Sequence, residues 1–153
     1  MKVRDLMTSH VTTGTPDTTV AEAAHLMWEH DCGILPIVDD GELVGVVTDR
    51  DMYIALATQN QRAANLRIGA VATKKVATCG PDDDVRAALD TMTQARIRRL
   101  PVVGPGAALI GMLSLNDIVL AAGPGKDVSS DDILRTLQAV SEPQRPQARA
   151  AGA

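Results

Sequence analysis

The chain has 153 residues and a net charge of −4, and 45% of it is apolar against 22% charged. That is the balance of a folded chain able to bury a core without metal or disulfide help. With one Trp, one Tyr and no Phe, the core must come from Val, Leu, Ile, Met and Ala, base stacking on nucleic acid is all but excluded, and the acidic balance argues against phosphate-backbone binding.

Taken in chain order, the opening MKVRDLMTSH carries charges with no apolar stretch behind them, so no signal peptide is expected. No later run approaches the ~18 apolar residues of a membrane span. Cys32 and Cys79 form no CxxC pair or ligand cluster. A cytoplasmic protein with reduced thiols, bound neither to membrane nor to nucleic acid, is the expectation. A short β-like stretch over 11–13 ends near Pro16. A helix follows, with Val20, Ala23, Ala24 and Met27 at i, i+3, i+4 and i+7 and Thr19 with Glu22 as its capping box. The apolar runs 34–38 and 43–47, joined by Asp39-Asp40-Gly41-Glu42, read as a hairpin with an Asp-Gly turn. A helix over 49–58 closes the unit.

The same string then returns. Val11, Thr13, Pro16, Asp17, Val20, Ala23, Met27, Leu35, Pro36 and Val38 recur as Val76, Thr78, Pro81, Asp82, Val85, Ala88, Met92, Leu100, Pro101 and Val103. After a one-residue insertion, Leu43, Gly45, Thr48 and Asp51 recur as Leu109, Gly111, Ser114 and Asp117. Asp84 is the expected N-cap of the second copy's first helix. A helix over 115–122 ends at Gly123-Pro124-Gly125. The protein is a duplication. A unit of this size buries too little apolar surface alone, so two are expected to pack face to face over one shared core.

The predicted class is α+β, with duplicated β-α-β-β-α units about a pseudo-two-fold axis. The expected divisions are a first repeat over 1–58, a linker over 59–67, a second repeat over 68–123, a C-terminal amphipathic helix within 124–141 and a disordered tail over 142–153. Met27 and Met92 are expected in the core. Trp28 is expected at a dimer contact or in packing.

V-x-T, a Pro, a V-x-x-A helix, h-P-V/I-V and G-h-h-T/S-x-x-D, occurring twice over roughly 3–122, resemble a tandem cystathionine β-synthase (CBS) domain pair. The resemblance implies a free-standing regulatory module of bacterial type that is not an enzyme and has no cofactor. It implies two related clefts that take an adenine nucleotide (AMP, ADP or ATP class) as regulatory ligand, a homodimer, and an effector protein regulated in trans. Two alternatives stay open: an S-adenosylmethionine-type ligand, or a structural and interaction dimer whose clefts are vestigial.

Thr48 with Asp51 and Ser114 with Asp117 stand where a strand runs into a helix start, whose unpaired N–H groups suit an anion. A carboxylate accepts from both ribose hydroxyls, and a Thr or Ser hydroxyl donates to phosphate. The same pairs also read as capping boxes. The residues before each h-P-V strand differ: Asp31-Cys32-Gly33-Ile34 against Arg96-Ile97-Arg98-Arg99. Family position pairs Arg98 and Arg99 with Asp117 as a phosphate site. Family architecture also carries each copy's leading segment to the other's cleft, bringing Lys74, Lys75 or Thr78 toward Asp51 and Ser9, His10 or Thr13 toward Asp117. With so few aromatics, adenine is expected against Ile34, Leu35 and Pro36 or Leu100, Pro101 and Val102.

Overall fold

A computed structural model describes residues 1–143. In chain order these form α1 (Val20–Glu29), β1 (Ile34–Asp39), β2 (Glu42–Thr48), α2 (Asp49–Gln59), α3 (Ile68–Val71), α4 (Val85–Ala95), β3 (Arg99–Val103), β4 (Leu109–Ser114), α5 (Leu115–Ala121) and α6 (Ser130–Ser141). Local chemistry sets most boundaries. At α1, the Glu22 N–H donates to Thr19 Oγ1 and the Thr19 N–H to Glu22 Oε2. At α4, Asp84 accepts from the Arg86 N–H. The Asp-Gly turn between β1 and β2 holds both Asp40 and Gly41 at positive φ, the conformation that matches a hairpin's twist.

Two antiparallel hairpins result, β1–β2 and β3–β4. The β-like stretches expected over 11–13 and 76–78 do not form ladders. Each is reduced to one parallel bridge further along the chain, Gly14 with Ile37 and Cys79 with Val102. Pro16 and Pro81 follow closely, and Pro36 and Pro101 have no N–H to donate, so the pairing cannot extend.

The shared core expected from the duplication is instead two clusters. One gathers Val20, Ala23, Leu35, Ile37, Val47, Met52, Leu66 and Ile68. The other gathers Val3, Val85, Leu89, Met92, Leu100, Val102, Leu113 and Ile118. Each cluster includes residues from the other copy's leading segment, because the chain exchanges those segments. The Thr73 N–H and carbonyl pair with Val46 at 2.9 and 3.0 Å, and Thr8 pairs both ways with Met112 at 2.9 Å. Gly45 and Gly111 permit this crossing. A Cβ at Gly45 would lie 3.0 Å from the Thr73 carbonyl oxygen, and one at Gly111 would lie 2.7 Å from Met7 Sδ.

The C-terminal helix starts at Ser130, after a Ser129–Asp132 capping box, and packs on α4. Ile133 and Thr136 are buried there, and the Thr93 and Thr136 hydroxyls lie 3.0 Å apart. Arg96 pairs with Glu142 at 2.9 Å. Glu142 falls within the segment expected to be a disordered tail, of which residues 144–153 lie outside the described residues. Met27 and Met92 are buried as expected. Trp28, 80% exposed, packs in neither core.

Candidate functional site

Two clefts lie between the units. The larger, about 530 Å³, is lined by Thr48 and Asp51 from the first repeat and by Thr73, Lys75, Val76 and Ala77 from the crossing segment. Ala95, Ile97, Arg98, Arg99 and Pro101 from the second repeat, with Ile34 and Val46, complete it. The smaller, about 260 Å³, places Ser114, Asp117 and Met112 opposite Thr8, His10, Val11 and Thr12, with His30, Asp31, Cys32, Ile34 and Arg99.

This arrangement corrects one pairing. Arg98 lines the Asp51 cleft rather than the Asp117 cleft, and Arg99 lines both. The corner before each hairpin faces the strand–helix junction of the other copy, so Arg98 meets Asp51 while Asp31 and Cys32 meet Asp117. Lys75 stands in the Asp51 cleft and His10 in the Asp117 cleft, on the side the crossing implied.

Several expected residues, Val102 among them, line neither cleft. Leu35 and Leu100 are fully buried in the two cores, because alternation along a strand turns them away from the face that carries Ile34 and Pro101. Pro36 is buried within β1. Thr13 borders a separate depression with Ser9 and Val38. Thr78 lies beyond the stretch 73–77 that faces the Asp51 cleft, because the chain crosses earlier than expected. Lys74 borders another depression, beside Pro16 and Gly69. Sequence reasoning missed Thr73 and Val46, and its available signal was Gly45, a small residue within a strand where another backbone approaches.

Both capping boxes exist. At α2, the Thr48 N–H donates to Asp51 Oδ2 at 3.0 Å and the Asp51 N–H to Thr48 Oγ1 at 3.1 Å. At α5, the Ser114 N–H donates to Asp117 Oδ2 at 2.8 Å and the Asp117 N–H to Ser114 Oγ at 3.2 Å. They differ in one proton. The Ser114 hydroxyl also donates to Asp117 Oδ2, at 2.7 Å. The Thr48 hydroxyl makes no such bond among the described residues, so its proton remains available. Each box uses only Oδ2 of its carboxylate, leaving Oδ1 to accept from a ligand.

The expected unpaired N–H groups at the start of α2 are occupied. The Asp49 N–H donates to the Gly33 carbonyl at 3.1 Å, the Arg50 N–H to Asp49 Oδ1 at 2.7 Å, and the Asp51 N–H to Thr48. At α5 the Leu115 N–H donates likewise to the Arg98 carbonyl at 2.8 Å. An anion in the Asp51 cleft would therefore be held by side chains. Lys75, Arg98 and Arg99 supply three cations against one carboxylate, and none is in a salt bridge among the described residues. In the Asp117 cleft, Arg99 is the one Lys or Arg in the lining, beside Asp31, Asp117, His10 and His30.

The thiols differ. Burial pushes Cys79 up to about 11, with Asp83 adding to the rise, which disfavours the reactive thiolate. Cys32 is raised chiefly by burial, against the lowering effects of the Ile34 backbone and the Arg99 charge. Among the described residues no three His, Cys, Asp or Glu are grouped to hold a metal ion, and no helix is long and apolar enough to cross a membrane.

Comparison with known proteins gives this geometry its context. The chain is 38% identical over 118 residues to the CBS domain-containing protein YhcV of Bacillus subtilis, covering 77% of this chain and 83% of that one. The fold matches the CBS domain pair of protein MJ0100, solved in complex with 5′-methylthioadenosine and S-adenosyl-L-methionine. That match has a TM-score of 0.71 at 29% identity and covers 78% of this chain and 94% of that one. CBSX2 in complex with AMP matches with a TM-score of 0.69 at 31% identity, over 78% of this chain and 94% of that one. The CBS domain profile matches residues 3–58 and again 68–123, and the chain belongs to the CBS domain family as a tandem pair.

Proposed function

We propose that the chain is a non-enzymatic regulatory module that binds an adenine nucleotide of the AMP, ADP or ATP class in the Asp51 cleft. The observation that carries this reading is the convergence there of Lys75, Arg98 and Arg99, none in a salt bridge among the described residues, beside the uncommitted Thr48 hydroxyl and Asp51 Oδ1. Lys75 and the two guanidinium forks hold the phosphate. Asp51 accepts from the ribose hydroxyls without giving up its cap. The adenine lies against Ile34, Val46, Ile97 and Pro101, an aliphatic wall in a chain almost without aromatics. S-Adenosylmethionine presents a carboxylate to the same cations and is the competing ligand to test.

The working form is a homodimer. Tyr53 and Ile54 on α2 and their repeat equivalents Val119 and Leu120 on α5 are all exposed. A second copy of this chain is the partner that matches an apolar pair repeated by internal symmetry. Nucleotide binding would alter conformation, and with it affinity for an effector in trans, through a coupling of about 1–3 kcal/mol.

Thermal unfolding with AMP, ADP, ATP and S-adenosylmethionine, paired with calorimetric titration, tests the reading. A ligand at a hundred times its Kd stabilises by about 2.7 kcal/mol, which for a chain of this size raises Tm by roughly 5–10 °C. The absence of both a heat of binding and a Tm shift at millimolar ligand would overturn it.

A further inference from the structure

Two residues line both clefts, Ile34 and Arg99. They occupy the same position of the two repeats, the first residue of β1 and of β3. Each pairs across its hairpin with the capping hydroxyl residue, Ile34 with Thr48 and Arg99 with Ser114. The lining that the two clefts share is therefore one aliphatic residue and one arginine. Arg99 is exposed, and among the described residues its side chain has no ion pair and no hydrogen bond. Nothing anchors it to either side.

The value of that guanidinium differs between the clefts. The Asp51 cleft keeps Lys75 and Arg98 without it. The Asp117 cleft has no other Lys or Arg in its lining and is left with Asp31, Asp117 and the imidazoles of His10 and His30. A single guanidinium cannot make charge-assisted bonds to two phosphates on opposite sides of a wall at full strength.

We propose that Arg99 couples the two clefts antagonistically, a phosphate bound in the Asp51 cleft withdrawing from the Asp117 cleft the one arginine it relies on. The coupling rests on the nucleotide reading above and is reciprocal, since linkage requires each site to weaken the other by the same factor. The Asp117 cleft supplies its own reporter. Cys32 lines it, and the Arg99 charge lowers the thiol's proton affinity against the raising effects of burial and of Asp31, while Cys79 is buried and more basic.

The test uses the full chain, AMP as probe, calorimetry for binding, and iodoacetamide labelling of Cys32 followed by peptide mapping. In the wild type, saturation of the first AMP site should slow Cys32 labelling roughly two- to fivefold, and a second AMP should bind at least about tenfold more weakly than the first. Arg99→Ile, which copies the residue at the equivalent position, should bind AMP about tenfold more weakly. It should label at the slowed rate without ligand and show no further response to AMP. Arg99→Lys should retain the response.

Equal slowing in the wild type and in Arg99→Ile would mean that AMP itself shields Cys32, and would overturn the coupling. Two equal and independent AMP sites, or a wild-type labelling rate unmoved by bound AMP, would do the same. No heat of binding in the wild type is a different result, because it overturns the nucleotide reading itself.

Discussion

Asp51 and Asp117 occupy equivalent capping boxes, yet only Asp51 shares its cleft with Arg98 and Lys75. Asp51→Asn separates the two roles of this carboxylate. Asn keeps an oxygen of the same size for the Thr48 N–H now 3.0 Å from Oδ2, and an amide at the N3 position returns this bond as a carboxylate does. The expected loss of folding stability is therefore below about 1 kcal/mol, the contribution of a negative charge at a helix start, and Asp51→Ala costs about 0.5–1.5 kcal/mol more because the hydrogen bond goes too.

Binding responds differently, because the ribose hydroxyls lose a charged acceptor. A hydrogen bond to a charged group is worth about 1.5–3 kcal/mol, which corresponds to AMP binding roughly 10- to 150-fold more weakly. Asp117→Asn makes the same chemical change in a box that faces Arg99 but neither Arg98 nor Lys75, and should leave the first AMP site within about threefold of wild type. Calorimetric titration reads the affinities and urea unfolding reads the stabilities. Wild-type affinity in Asp51→Asn, or an equal loss in Asp117→Asn, would refute the assignment of the phosphate to the Asp51 cleft.

The core assignments predict that Leu35→Ala and Leu100→Ala each cost about 2–5 kcal/mol by urea unfolding, with AMP affinity of the folded protein unchanged. Leu120, 86% exposed on α5, should report the homodimer: Leu120→Glu should yield monomer by sedimentation and leave a Tm that no longer depends on protein concentration. The Asp132 carboxyl is held below its ordinary range, first by the Ser129 hydroxyl and then by the Ser129 N–H. Its folded value is depressed, so its stabilisation is present above the ordinary carboxylate range and lost as pH falls through the lowered value. The Tm difference between wild type and Asp132→Asn should accordingly close on acidification, and a constant difference would contradict this origin.

Much of the fold was legible because its signals are local. The Thr19–Glu22, Thr48–Asp51 and Ser114–Asp117 boxes each span four residues, and the buried faces of α1 and α4 follow the helical period. The partnership of the clefts was not local. Arg98 meets Asp51 only because leading segments and hairpin corners exchange between units, and no spacing within one copy records that exchange. The start of α2 shows the same limit. Its N–H groups count as open from sequence, but the Gly33 carbonyl that fills one of them arrives by tertiary packing. Leu35 and Leu100 were misplaced because a continuous apolar run does not say which of its members faces the cleft, whereas strand alternation does.

The duplication also explains where a signal could leave the cleft. With the capping boxes nearly identical in both copies, any functional difference must come from what surrounds them, and the largest difference is α6, which packs on α4. The C-terminal end of α4 and the turn after it carry Ala95, Ile97 and Arg98, all in the wall of the Asp51 cleft. Between them, Arg96 adopts a left-handed backbone conformation and pairs with Glu142 just beyond α6. A ligand that draws Arg98 inward therefore acts on a turn whose neighbouring residue is tied to α6. An exposed ion pair of this kind contributes only about 0–1 kcal/mol, so it can yield to a nucleotide without threatening the core. The weak contact between a cleft and a peripheral helix is what a regulatory module needs, because a shift of about 1–3 kcal/mol can then change what α6 presents while both hairpins stay folded.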